Sequence, residues 1–134
     1  MTVKLETQSI RIIAAFEKIT NVHTRDCIIT DECIYFLVDP EKIGLAVGKN
    51  GSVIKEVRKV FGKPVKVFGY YPDAKSFISN MVPGVKFLGT DNGSMTISIP
   101  NEQKMSLIGK NGDNIKAVRD ILNRHYKIKK LRLR

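Results

Sequence analysis

The sequence predicts an α+β fold made of two tandem modules, each with three strands and three helices. Three observations predict it: an internal repeat, a shared order of strand and helix patterns, and turn signals at corresponding places. The chain has 134 residues. That length suits two units of roughly 65 residues, a size that folds alone although only marginally.

The repeat is clearest around two glycine loops. Residues 48–58 read Gly-Lys-Asn-Gly-Ser-Val-Ile-Lys-Glu-Val-Arg, and residues 109–119 match them at eight of eleven positions. Weaker matches extend over the whole half-chain. Because such self-similarity indicates duplicated structural units, we expect one module over residues 1–70 and a second over residues 71–134.

In the first half, apolar spacing and turn residues predict the order helix, strand, strand, helix, loop, helix, strand. The segments are a helix over 10–19, strands over 25–29 and 34–38, a helix over 43–47, a loop over 48–51, a helix over 52–61 and a strand over 65–68. Ser52 is the expected N-cap of the helix after the loop. The expected inward face of that helix consists of Val53, Ile54, Val57 and Val60.

The second half repeats this order. The segments are a helix from 73 that ends before 83, strands over 85–88 and 94–99, a helix over 101–108, a loop over 109–112, a helix over 113–124 and a strand over 129–134. The turn Asp91-Asn92-Gly93 is a strong hairpin signal between its first two strands. This half has about five more residues after its loop than the first half, which predicts an extra helical turn.

Each Gly-Lys-Asn-Gly loop lies between two predicted helices, an arrangement that suits phosphate. Glycine adopts backbone angles closed to other residues and lets another backbone approach. The helix that follows begins with unpaired N–H groups and a partial positive charge. One turn later, each helix carries a Lys and an Arg at i and i+3, on one side. The candidate nucleic-acid-binding residues are Gly48, Lys49, Asn50, Gly51, Lys55, Arg58, Gly109, Lys110, Asn111, Gly112, Lys116 and Arg119.

These assignments have plainer alternatives. The four cations on the two helices are equally compatible with a solvated face. The apolar residues around the loops form either a floor for bases or ordinary core, and we expect core for most of them. They are Ile43, Val47, Ile54, Leu107, Ile108 and Ile115.

The sequence does not support an enzyme. A Walker A loop needs Gly, four residues, and then Gly-Lys followed by Ser or Thr. Gly44 is one residue too close to Gly48, and Asn50 stands where the hydroxyl belongs. No Ser/His/Asp order, paired-carboxylate motif or metal cluster is evident, so we expect no catalytic residue, no cofactor and no metal. Cys27 and Cys33 are expected to be reduced, half-buried strand residues.

Charge and hydropathy predict a cytoplasmic protein with a polyanionic partner. The net charge is +10, and residues 104–134 hold ten basic and two acidic side chains. This asymmetry favours a polyanion toward the C-terminal part, although a merely basic surface is the alternative. We hypothesise that the basic strand over 127–134 adds non-specific affinity. No apolar run approaches the roughly 20 residues that span a bilayer, so we expect no membrane association.

The two loops, in this structural context, resemble the KH motif. The matching features are a strand, a short helix, Ile/Val-Gly-Lys-Asn-Gly, a helix with Ile-x-x-Val-Arg, and a closing strand. The extra helix and strand before this core resemble the type II KH fold. The resemblance implies two tandem type II KH domains, each a three-stranded mixed sheet with helices on one face. It also implies a clamp for about four nucleotides of single-stranded nucleic acid.

The tandem arrangement and the length resemble, more narrowly, the compact archaeal form of the NusA transcription factors. This resemblance implies a non-enzymatic, single-stranded RNA-binding protein in transcription termination or antitermination. The implied partners are the nascent transcript and, as a second candidate, RNA polymerase. Two alternatives stay open: a ribosome-associated or rRNA-processing KH protein, and a KH-based protein scaffold. We also hypothesise that both loops hold one continuous RNA.

Overall fold

The computed structural model describes the backbone of residues 2–134 and the side chains of residues 8–134. Contacts between Cα atoms divide the chain into two compact units, one that ends at Tyr70 and one that runs from Tyr71 to Arg134. Each unit has the order helix, strand, strand, helix, loop, helix, strand. The α+β prediction is therefore confirmed, with three strands and three α-helices in each unit.

The first unit begins with a long helix and ends with a strand. Its elements are α1 (Thr2–Thr20), β1 (Thr24–Ile29), β2 (Ile34–Val38), α2 (Ile43–Val47), α3 (Ser52–Phe61) and β3 (Val65–Gly69). The strand order is β1-β2-β3, with β1 antiparallel and β3 parallel to β2. This is the mixed three-stranded sheet that the type II arrangement implies.

The core of the first unit lies between its helices and one face of the sheet. Phe16 of α1 stacks on Phe36 of β2, with ring centroids 3.9 Å apart. Alternate residues of a strand share a face, so Ile34 and Val38 join Phe36 in this core. Ala46 of α2 contributes from the helix side. Burial of these side chains holds α2 and α3 in place and thereby positions the loop that joins them.

The second unit has the same topology with a longer last helix. Its elements are α4 (Ala74–Met81), β4 (Lys86–Asp91), β5 (Ser94–Ser98), α5 (Asn101–Ile108), α6 (Asp113–Tyr126) and β6 (Lys130–Leu133). The strand order is β4-β5-β6, again with one antiparallel and one parallel neighbour of the central strand. Asp73 caps α4 by accepting a 2.7 Å hydrogen bond from the backbone N–H of Ser76, which lowers the pKa of Asp73.

The extra helical turn in the second unit is confirmed. Helix α3 has 10 residues and α6 has 14, a difference of about one turn. The two helices also end alike, because the C-cap residues Gly62 (φ 69°) and Lys127 (φ 58°) are both left-handed. The two units therefore differ in the length of this helix but share a left-handed residue at its C-cap.

Two details of the sequence-based prediction for α3 are wrong. Ser52 is the first helical residue rather than the N-cap, and Gly51 holds the cap position with φ 73°. The reason is that the loop closes on itself through its own backbone and leads directly into the helix. Val60 is 59% exposed, whereas Phe61 packs against the core. Phe61 lies four residues after the buried Val57, so it occupies the last inward position of the helix instead.

Candidate nucleic-acid interface

The first loop is a tight turn between α2 and α3 whose angles suit its residue types. Gly48 has φ 78° and ψ 169°, Asn50 has φ 55° and ψ 28°, and Gly51 has φ 73° and ψ 17°. The Gly51 N–H donates a 3.1 Å hydrogen bond to the Gly48 carbonyl. Asparagine is among the few non-glycine residues that visit the left-handed region readily. The sequence Gly-Lys-Asn-Gly therefore matches the turn position by position.

The second loop adopts the same conformation. Gly109 has φ 76° and ψ 177°, Asn111 has φ 56° and ψ 25°, and Gly112 has φ 73° and ψ 14°. Its closing hydrogen bond, from the Gly112 N–H to the Gly109 carbonyl, is also 3.1 Å long. The repeat in sequence is thus a repeat in backbone geometry.

The first and last glycines of the loops meet different surroundings. A Cβ atom on Gly48 would lie 2.5 Å from Val53 Cγ2, and one on Gly109 would lie 2.6 Å from the Cβ of Asn114. A Cβ on Gly51 would have no neighbour closer than 3.7 Å, and one on Gly112 would have none within 4 Å. The first glycine is therefore needed for packing, while the last leaves open space where another backbone can approach.

The predicted polar site residues are accessible in both units. Lys49, Asn50, Lys55 and Arg58 are exposed, and so are the matching residues Lys110, Asn111, Lys116 and Arg119. In each unit the loop residues, Lys49 and Asn50 or Lys110 and Asn111, directly precede the N-terminus of α3 or α6, where backbone N–H groups and the helix dipole favour an anion. The lysine, Lys55 or Lys116, lies about one turn into the helix, and the arginine lies a further turn along it, in the last turn of α3 or the middle of α6.

The two loops differ in the residue that follows the last glycine. Ser52 occupies this place in the first unit, whereas Asp113 occupies it in the second. A carboxylate in the first turn stabilises a helix through its favourable interaction with the helix dipole, but it repels a phosphate. We therefore expect the first loop to bind phosphate more tightly than the second.

The arginines of the two helices have a structural contact as well as an exposed position. Arg58 donates from Nη2 to the carbonyl of Val65 over 3.4 Å, and Arg119 donates from Nη2 to the carbonyl of Leu131 over 3.2 Å. Within the part of the chain whose side chains are described, Lys55 and Lys116 form no such bond and no ion pair. The arginines tie α3 and α6 to the strands β3 and β6, and the lysines are the more available cations.

The apolar residues around the loops are mostly core. Ile54, Leu107 and Ile115 are buried, and Ile43 and Val47 are partly buried against the core of the first unit. Ile108 alone of the six is exposed, at 38%. The expectation of ordinary core packing therefore holds for most of them. Leu45 and Met105, at 58% and 86% exposure, are accessible apolar neighbours of the loops that sequence reasoning missed.

Asn114 is a further residue that sequence reasoning missed. It is 5% exposed and donates from Nδ2 to the carbonyl of Leu107 over 2.8 Å. This bond fastens the end of α5 to the start of α6 and so supports the second loop. Val53 takes the same place in the first unit. The two copies of the repeat therefore differ at this position. The difference is visible in the sequence, but it does not show that the asparagine is buried and hydrogen-bonded.

The two cysteines are not joined in a disulfide, and both are buried rather than half-buried as expected. Cys27 belongs to the core of the first unit, and Cys33 immediately precedes β2, a strand whose five residues are all buried. Among the described side chains, no three His, Cys, Asp or Glu residues cluster in a way that could hold a metal ion. No helix within residues 2–134 combines the length and the apolar character needed to cross a membrane.

Known proteins share both the sequence and the fold. A family model described as "KH domain" matches residues 10–72. A protein of Methanocaldococcus jannaschii named "Probable transcription termination protein NusA" is 35% identical over 98% of this chain and 75% of its own length. The chain belongs to the archaeal NusA family.

Other similarities agree with membership of the NusA family. A protein of Halobacterium salinarum with the same name is 27% identical over 99% of each chain. A crystal structure described as that of APE1850 superposes with a TM-score of 0.75 and 30% identity, over 96% of this chain and 99% of that one. The chain therefore aligns over 99% of the Halobacterium protein and 75% of the Methanocaldococcus protein.

Proposed function

We propose that this protein binds single-stranded RNA through its two Gly-Lys-Asn-Gly loops and acts in transcription termination or antitermination. The observation that carries the proposal is the repeated loop geometry. Two loops of one conformation present exposed Lys and Asn side chains at the starts of α3 and α6. Membership of the NusA family, whose relatives are named for transcription termination, supplies the cellular process.

The loops would hold RNA by its backbone. A phosphate would lie against the N–H groups at the helix start, with Lys49 or Lys110 as the neighbouring cation. Glycine at 51 and 112 leaves room for the sugar–phosphate chain. Lys55 and Lys116, one turn later, would contact the next phosphates. In this proposal no covalent bond is made or broken, and the protein acts without catalysis or a cofactor, in the cytoplasm.

The nascent transcript is the RNA we propose, and RNA polymerase is the proposed neighbouring partner. A ribosome-associated protein would instead copurify with ribosomal subunits. A protein scaffold would bind RNA weakly, and its binding would not depend on salt in the way that phosphate contacts do. Recovery of polymerase and nascent RNA with the protein from cells would support the transcription role over both alternatives.

The binding proposal is tested by reversing the charge of each loop. We expect Lys49→Asp/Asn50→Asp to abolish most affinity for a single-stranded RNA of about a dozen nucleotides, because both changes place carboxylates at the phosphate site. Lys110→Asp/Asn111→Asp should act in the same direction but less strongly. Fluorescence anisotropy at several salt concentrations measures this, and circular dichroism checks folding.

A matched control is available at the end of α1. Lys18→Asp/Asn21→Asp makes the same two exchanges, and Asn21 is left-handed like Asn50, with φ 59°. This control should retain wild-type RNA affinity. If the folded loop variants bind RNA as well as this control does, the loops are structural turns and the scaffold alternative takes precedence.

A further inference from the structure

The second sheet has a polar face opposite its buried one. Along β5, Met95 and Ile97 are buried, whereas Ser94, Thr96 and Ser98 are only half-buried. Because successive side chains of a strand point to opposite faces, the three hydroxyl residues lie together on the second face. A row of small hydroxyls therefore runs along the middle of the sheet.

Cations border this row on both sides. Lys86 of β4 is the register partner of Ser98, while Lys130 and Arg132 of β6 are the partners of Ser94 and Thr96. Register partners share a face, and all three cations are exposed. Among the described side chains, these three form no ion pair. Asp91, opposite Ser94, is the acid on the same face.

The polar character of this face is not dictated by the fold. The corresponding face of the first sheet carries Tyr35 and Leu37 on its central strand, and they are 2% and 1% exposed. The two copies therefore kept the same loops but diverged on this face. The second sheet therefore presents hydroxyl and charged groups to solvent, whereas the corresponding face of the first sheet is covered.

An open cleft continues the polar face around the edge strand β6. Its volume is about 790 Å³. The lining residues are Thr96, Arg119, Lys129, Lys130, Leu131, Arg132, Leu133 and Arg134. Five of these eight are Lys or Arg and none is acidic. The cleft thus reaches from Thr96 on the polar face to Arg119 on α6, the helix that follows the second loop.

We infer that this polar face and the cleft along β6 form a second RNA-binding surface, which holds the backbone of a double-stranded stem. Hydroxyls and Lys or Arg side chains are the groups that contact phosphates and sugars. The described residues of this face include no aromatic side chain, so it lacks the stacking platform that unpaired bases use. Duplex RNA is recognised instead through phosphates and 2′-hydroxyls.

This inference rests on the proposed RNA-binding function. It adds double-stranded RNA as a second class of ligand for the same chain. A single-stranded segment would lie at the second loop, and a neighbouring stem of the same transcript would lie on the polar face. Arg119, which lines the cleft from α6, would link the two. The surface would add affinity without reading sequence, because contacts to the RNA backbone carry no base information.

The test compares three RNAs: a single strand of about a dozen nucleotides, a hairpin stem, and the two joined. Lys86→Gln/Arg132→Gln removes one cation from each border of the hydroxyl row. For the joined RNA we expect the slope of log affinity against log salt to fall by about 2, because each phosphate that a cation neutralises contributes roughly 0.9 to this slope. The single strand should bind the variant as tightly as wild type. Arg11→Gln/Lys18→Gln, which removes the same two charges from exposed positions of α1, should alter neither.

The outcomes separate this inference from the proposed function. If the stem adds no affinity in the wild type, or if the variant keeps the wild-type slope on the joined RNA, the inference is overturned. If the wild type binds the hairpin but not the single strand, and the variant loses the hairpin, the polar face stands and the proposed loop function fails. Should circular dichroism show the double variant unfolded, Thr96→Glu, in the centre of the face, replaces it.

Discussion

At the scale of single residues, Gly48 and Gly51 are needed for different physical reasons. Gly48 combines φ 78° with ψ 169°, a region open almost only to glycine, and any side chain there would run into Val53. Gly51 lies in the ordinary left-handed region, with space around it. The loop therefore depends on its first glycine for its shape and on its last for access.

This difference predicts unequal losses of stability. Gly51→Ala should lower the free energy of unfolding by about 1 kcal/mol, the cost of one left-handed non-glycine residue. Gly48→Ala should cost roughly 3 kcal/mol or more, because the strained angles and the clash with the Val53 backbone act together. Urea denaturation of both variants measures the two losses. Equal losses would contradict the assignment of a packing role to Gly48.

At the scale of elements, α3 and α6 each have a buried side and an exposed side. The buried side packs in the core of its unit, and the exposed side carries the candidate RNA-binding lysine and arginine that come after the loop. One arginine on each helix, Arg58 or Arg119, also reaches the carbonyl of an adjacent strand. A lysine three residues earlier has no such hydrogen bond among the described residues. The two candidate RNA-binding cations of each helix, which look equivalent in the sequence, therefore differ in their structural contacts.

Matched substitutions can distinguish the role of Arg58 from that of Lys55. We expect Arg58→Met to lower both RNA affinity and stability, the latter by about 1 kcal/mol because the hydrogen bond to Val65 is removed. Lys55→Met should lower RNA affinity alone, with stability unchanged within about 0.5 kcal/mol. Anisotropy and urea denaturation on the same samples measure both quantities. A loss of stability in Lys55→Met that matches Arg58→Met would refute the distinction.

At the scale of the whole molecule, the chain carries two loops of one geometry. The tandem α+β architecture is that of the NusA family, and the assignment of residues 1–70 and 71–134 as two RNA-binding domains remains a proposal. Two binding sites on one chain raise affinity for a long ligand, because the second contact becomes intramolecular. The proposed pair of sites therefore predicts tighter binding of a long RNA than of a short one.

We expect an RNA of about two dozen nucleotides to bind at least 100-fold more tightly than one of about a dozen. Reversing the charge of the second loop should bring the long RNA down to about the affinity of the short one, and reversing the first, tighter loop should lower it further. Titration calorimetry gives affinity and stoichiometry together. Independent binding of two short RNAs, each abolished by its own loop variant and with no gain for the long RNA, would rule out a shared RNA.

The repeat, the order of elements and the two loops are specified by local sequence and could be predicted from it. These features depend on neighbouring residues: apolar spacing sets helix or strand, and glycine or asparagine supplies the left-handed angles of the turn. The same reasoning predicted the extra turn of α6 and the start of a helix at Asp73. Local chemistry was sufficient wherever the deciding partner lay within a few residues.

Packing between different elements, by contrast, decides which candidate site residues make structural contacts and which stay exposed. Arg58 donates to the Val65 carbonyl and buried Asn114 donates to the Leu107 carbonyl, in each case across seven residues and to another element. The polar face requires the register that sets Thr96 beside Arg132. These outcomes depend on how separate elements pack and on strand register, which the periodicity of one segment does not specify.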